Sequence, residues 1–253
     1  MSMITLLGAV ATLVFCAPGY PGAAGDAQPF VDQFAKATVA SAGWPAGSLA
    51  ATYDPTEPGG LAKLKSADSV LTFVPYAFYV QYSSALNLRA VAQADVANVG
   101  TEERWTLVGK QGAAAQSLSG YTLVSTAGYA PEFIRRAALA SVPLPDDLKI
   151  ESTGQILSAL RRASAGENVV VLLDQTQAGA LASLPFAAQL KTLAQSPPLP
   201  VALVAVVQNR VPAAREKSLQ EGLLKLGTTL NSADTLSQLH LKGFVPPKLP
   251  SKP

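Results

Sequence analysis

One device recurs along the chain: an apolar run stops at a loop of Gly, Pro, Ser, Thr or Tyr, and a helix-period pattern follows. Thr12–Cys16 runs into Ala17-Pro18-Gly19-Tyr20-Pro21-Gly22, and Leu49–Thr52 into Tyr53-Asp54-Pro55-Thr56. Ser69–Val74 runs into Pro75-Tyr76, and Tyr121–Val124 into Ser125-Thr126-Ala127-Gly128-Tyr129. The last clear instance is Val169–Leu173 before Asp174-Gln175-Thr176-Gln177. Strand–loop–helix units of this kind build parallel sheets covered by helices. In open α/β sheets ligands sit beyond the carboxyl ends of the strands, so function is to be sought in these loops.

The 253 residues are 49% hydrophobic and 14% charged, enough to bury a sizeable core in one or two domains. A formal charge of +2 without a Lys/Arg cluster argues against nucleic acid as a partner, because phosphate-backbone binding needs a basic footprint. Cys16 is the single cysteine and His240 the single histidine, too few for a zinc site. Cys16 reads as a small buried hydrophobe. The loops hold no Lys, Arg or His, no nucleophile beside a base and no Gly-x-x-x-x-Gly-Lys-Ser/Thr motif. A binding protein without catalytic residues, metal or cofactor is therefore expected, and not an enzyme. No segment reads as a membrane-spanning helix. Met3–Cys16 is apolar, but no basic residue precedes it, so Thr12–Cys16 reads as the first strand. Residues 1–9 then read as a leader or a replacement start in place of a removed signal.

Helices are expected over Asp26–Ala42, with Asp26 as N-cap and Phe30, Val31, Phe34 and Val39 as its apolar stripe. Others are expected over Glu57–Leu64, Pro75–Leu86, Ala130–Leu139, Ala178–Ala182, Ala213–Leu226 and Ser232–Leu239, and one opens at Ser152–Gln155 and runs to Ser164. The elements divide into two similar α/β lobes, 10–92 with 201–245 and 95–200, followed by an irregular Pro/Lys-rich tail, 246–253.

Five segments occur in a telling order: Ala17-Pro18-Gly19-Tyr20, Phe73-Val74-Pro75-Tyr76, Ser125-Thr126-Ala127-Gly128-Tyr129-Ala130-Pro131, Ile150-Glu151-Ser152-Thr153-Gly154-Gln155 and Val171-Leu172-Leu173-Asp174-Gln175. With them the chain resembles periplasmic solute-binding proteins of the phosphate/phosphonate type, which serve ABC transporters. The resemblance implies a type II periplasmic-binding-protein fold: two Rossmann-like α/β lobes joined by hinge strands, with a small molecule in the cleft between them. It also implies a periplasmic location, a permease partner in the inner membrane, a monomer, and contact between the Ser125–Gly128 loop and the oxyanion of the ligand.

The candidate ligand residues follow. Ser125, Thr126 and Gly128 lie between a strand and a helix, where free N–H groups and hydroxyls suit an anion. The same hydroxyls suit plain helix capping. Tyr20, Tyr53, Tyr76 and Tyr129 stand in strand-terminal loops, and each carries a polar tip that wants a partner. Tyr79 and Tyr82 read as helix packing. Asp54 and Asp174 either meet an amine or hydroxyl of the ligand or cap the next helix, with capping favoured; Gln155 opens a helix on the same side. Phosphate or a phosphonate is the expected ligand. Because Ala17, Pro18, Val74, Pro75 and Phe78 offer few hydrogen bonds, a hydrophobic cargo such as a lipid or sterol is the alternative. A sensory or interaction module is a third reading.

Overall fold

The computed structural model describes residues 10–19, 24–228 and 230–250. The expected leader (1–9), Tyr20 and the end of the tail (251–253) lie outside the described residues.

The chain opens with β1 (Ala11–Cys16), α1 (Ala24–Ser41), β2 (Leu49–Asp54), α2 (Glu57–Lys65), β3 (Ser69–Pro75), α3 (Tyr76–Tyr82) and β4 (Leu88–Val96). It then crosses through β5 (Glu102–Glu103) into β6 (Thr106–Lys110), β7 (Thr122–Ser125), α4 (Pro131–Phe133), β8 (Lys149–Ser152), α5 (Ile156–Ser164), β9 (Val169–Leu173), α6 (Gln175–Ala180) and β10 (Leu190–Gln195). It returns through β11 (Leu199–Pro200) to β12 (Ala202–Val207), α7 (Ala213–Lys225), α8 (Leu230–Gln238) and β13 (Leu241–Val245).

Two sheets result. The first has six strands in the order β13-β4-β12-β3-β1-β2, the second five in the order β10-β6-β9-β7-β8. β1 pairs in parallel with β2 and β3, and β7 with β8 and β9. The strands arriving from the other lobe pair antiparallel: β12 between β3 and β4, and β6 beside β9. All five residues of β9 are buried, as its unbroken β-branched and apolar run requires of a strand covered on both faces.

The first core is aromatic. Phe15 of β1 meets Phe34 of α1 and Phe73 of β3 edge to face at 5.3 and 5.0 Å, and Phe34 stacks on Phe73 at 6.2 Å. Phe244 of β13 closes the group 5.8 Å from Phe34, so the C-terminal strand is bound to the first helix. Offset and edge-on pairs of this kind add about 0.5–1.5 kcal/mol each beyond the area they bury.

Several expected boundaries shift. α1 begins at Ala24, so Asp26 lies within its first turn, where it faces the positive end of the helix. Val31, Phe34 and Val39 are buried, but Phe30 remains 37% exposed. The expected helix Ala130–Leu139 splits into short α4 and a π-turn, Ile134–Ala138, closed by Leu139 N donating to Ile134 O at 2.9 Å. The short helix expected at Ala178–Ala182 starts three residues earlier, at Gln175, because Asp174 caps it.

α7 crosses α1 at Gly222, where a Cβ would stand 2.7 Å from the Ala42 backbone nitrogen. Gly222→Ala is expected to force the two helices apart and to cost about 1–3 kcal/mol as an overpacking change. A fall in the urea midpoint with an unchanged m-value is the measurement that checks it.

Candidate functional site

The carboxyl ends of both sheets face one another across the two crossings. In those crossings β5 and β11 form their own antiparallel pair, Glu103 opposite Leu199 and Glu102 opposite Pro200. Pro18 after β1 and Pro75–Ala77 at the end of β3 come from one lobe; Thr126, Ala127 and Tyr129 after β7 come from the other; Glu103, Trp105 and Val201 come from the crossings. Together they line a cavity of about 10 Å³, room for one water.

The lobes are in contact around it. Tyr76 meets Phe133 edge to face at 6.1 Å, and Trp105 meets the same ring at 5.2 Å. Gln81 on α3 accepts a hydrogen bond from Glu132 N at 2.9 Å, so the first lobe caps α4 of the second. Gly19 has φ +85°, and a Cβ there would lie 2.7 Å from the Thr126 carbonyl oxygen. Only glycine reconciles that backbone conformation with that approach.

The Ser125–Gly128 turn is knitted mainly to itself. The buried Ser125 hydroxyl donates to Leu172 O at 2.8 Å and accepts from Ala127 N at 3.1 Å; Gly128 N donates to Ser125 O. Ser125 therefore shapes the turn from beneath. Gly128 is a packing requirement, since a Cβ there would overlap the Glu151 carbonyl. Thr126 lines the cavity, and its hydroxyl makes no hydrogen bond among the described residues.

The remaining sequence candidates divide. Tyr76 and Tyr129 line the cavity with Thr126. Tyr53 does not: it borders a second cavity, of about 460 Å³, with Phe15, Ala17, Phe73 and Leu239, which adjoins the first at Pro75 and Val201. Asp54 is turned inward. It accepts from Thr56 N and Oγ1 at 2.9 and 2.7 Å and pairs with Lys63 at 2.8 Å, while Thr56 caps α2 through Gly59 N. Burial opposes the ionisation of Asp54, but the bonds from Lys63 and Thr56 outweigh it and hold its carboxyl below the usual range. Asp174 forms a capping box with Gln177, its Oδ1 accepting from Gln177 N at 2.8 Å and its own N–H donating to Gln177 Oε1 at 3.2 Å. Gln155 stands exposed at the N-cap of α5 and lies outside the cavity lining.

Sequence reading passed over Glu103. It is 6% exposed, it lines the cavity, and the nearby Trp105 side chain and Gln175 backbone favour its charged form only in part. Burial, reinforced by Asp174, pushes its carboxyl up to about 7. The signal was one acid in Gly100-Thr101-Glu102-Glu103-Arg104-Trp105, where nothing in the spacing separates a buried residue from a solvated one.

A family model described as "ABC transporter, phosphonate, periplasmic substrate-binding protein" matches residues 75–251, well over half of the chain. The chain belongs to this family, whose members are the periplasmic substrate-binding components of ABC transporters and so work with a small-molecule ligand and a membrane permease. Its fold is that of type II periplasmic binding proteins. A Xanthomonas citri protein solved bound to ATP superposes with a TM-score of 0.68 at 15% identity, over 95% of this chain and 92% of that one. A binding-protein component of an ABC phosphonate transporter from Pseudomonas aeruginosa superposes at 0.59 and 13%, over 94% and 82%. A Prochlorococcus marinus protein in complex with methylphosphonate superposes at 0.58 and 14%, over 95% and 94%. No curated protein sequence matches the chain. Among the described residues no helix is long and apolar enough to cross a membrane, and no group of His, Cys, Asp or Glu is placed to hold a metal ion.

Glu103 sets a pH dependence. Its carboxyl rises from 4.5 unfolded to about 7 folded, so the folded state holds the extra proton between those values. Stability then falls as pH rises through that window, because the native state binds more protons than the unfolded one. Glu103→Gln is expected to flatten this slope and to raise stability at and above neutral pH. Urea midpoints of both proteins at acidic and neutral pH are the check.

Proposed function

We propose that this protein captures a small phosphorus oxyanion, phosphate or a phosphonate, in the interlobe cleft and hands it to its permease as a monomer. The observation that carries the reading is the Thr126 hydroxyl, open to the cleft on a turn that Ser125 and Gly128 hold rigid. Membership of the phosphonate-binding family supports it. The cleft as it stands admits about one water, so capture needs the lobes to part and close again about the β5–β11 pair. Parting releases the bond from Glu132 N to Gln81 across the lobes. An oxyanion accepting from a neutral hydroxyl and backbone N–H groups makes charge-assisted hydrogen bonds, about twice as strong as neutral ones. Nothing in the family match supports the apolar-cargo alternative. The 460 Å³ cavity beside Tyr53 is lined mainly by apolar side chains of the first lobe and so offers an oxyanion few partners.

A thermal-shift titration with methylphosphonate and with phosphate tests this. Ligand at about 100 times its Kd is expected to add about 2.7 kcal/mol to stability. Thr126→Val, which keeps the shape and deletes the donor, is expected to weaken binding by about tenfold or more. No shift with either anion would sink the proposal.

A further inference from the structure

If an oxyanion occupies this cleft, as proposed above, it meets a chemical conflict. The cavity holds one carboxyl, Glu103, and none of the residues lining it is Lys, Arg or His. A carboxylate and an oxyanion in contact, both removed from water, repel one another, and one of the two must be neutralised. Arg104, next in the chain, is absent from the cavity lining and directs its guanidinium to the Ser196 carbonyl at 2.9 Å. The other titratable groups packed around Glu103 are acids. Asp174 at the end of β9 adds negative charge, and Tyr76 on α3 and Tyr129 after β7 present phenols.

We infer that Glu103 shares one proton with the bound oxyanion, so that ligand capture by this protein is coupled to proton uptake above neutral pH. The balance is simple. A ligand monoanion brings its own acidic O–H and donates it to ionised Glu103; a dianion instead accepts a hydrogen bond from protonated Glu103. Both describe the same complex with one proton between two oxygens. When ligand and carboxyl are both deprotonated in solution, that proton comes from solvent. Glu103 is buried at the cavity wall beside Trp105 and Val201, which places its carboxyl for this contact. Its titration near neutrality means that proton is held or released within the range where phosphonates also titrate.

The test is isothermal titration calorimetry of the full chain with methylphosphonate and with phosphate, from about pH 6 to about pH 8.5, in buffers of different ionisation heat. The heat difference between buffers counts protons taken up per ligand bound. The expected result for the natural protein is about one proton taken up at the alkaline end, with affinity falling by about tenfold per pH unit there. Glu103→Gln is expected to take up none, because its amide donates directly to a dianion, and to keep its affinity at alkaline pH. Binding by the natural protein without proton uptake overturns the inference and leaves the oxyanion reading standing. Equal uptake by both proteins overturns it in the same way. No binding by either protein at any pH removes both. Should Glu103→Gln fail to fold, the proton count of the natural protein alone decides.

Discussion

The edge-to-face contact of Tyr76 and Trp105 with Phe133 is the join on which the functional geometry depends. It fastens the helix that follows β3 to the helix that follows β7, and so fixes where the strand ends of two separate sheets stand relative to one another. The backbone link between the lobes is slight by comparison, since β5 and β11 share only two residue pairs. Side-chain packing and not sheet continuity therefore sets the separation. The Gln81–Glu132 hydrogen bond and the approach of Gly19 to Thr126 also join the two lobes.

A second constraint works at shorter range. The turn after β7 satisfies most of its own polar groups, with Ser125 bonded below it and Gly128 pressed against β8. Such a turn cannot bend to suit a ligand. It presents a preformed edge from which Thr126 projects, and a rigid donor wastes little entropy on binding. The turn after β2 follows the same internal logic: Asp54, Thr56 and Lys63 use one another, and nothing is left over for a guest.

The architecture was legible because each strand carries its own signal. β9 is an unbroken run of Val and Leu, and it falls where the sequence puts a strand. The strand-terminal loops were legible for the same reason, and three of the residues named in them, Tyr76, Thr126 and Tyr129, meet at one cavity. Direction was legible in part. Capping was the favoured reading of Asp54 and Asp174, and Asp174 does cap α6; at the first site Thr56 is the cap, and Asp54 accepts from it instead. The π-turn at Ile134–Ala138 has no local marker. Glu103 stayed hidden because its burial is a property of the crossing between lobes, where Val201 and Tyr76 come in from distant parts of the chain.

The position of β12 between β3 and β4 carries one more consequence, for the order in which the molecule assembles. The second sheet is drawn from one continuous stretch of sequence, β6 to β10. The first is interrupted: two of its six strands, one of them internal, are made only after the whole of the second lobe. Until β12 arrives, β3 and β4 have no partner between them and each presents an unpaired edge. Contacts of such long sequence separation form slowly, because the loop between them must be closed first. The inner lobe is thus complete while the outer one still waits for its keystone strand, and the cleft comes into being last of all.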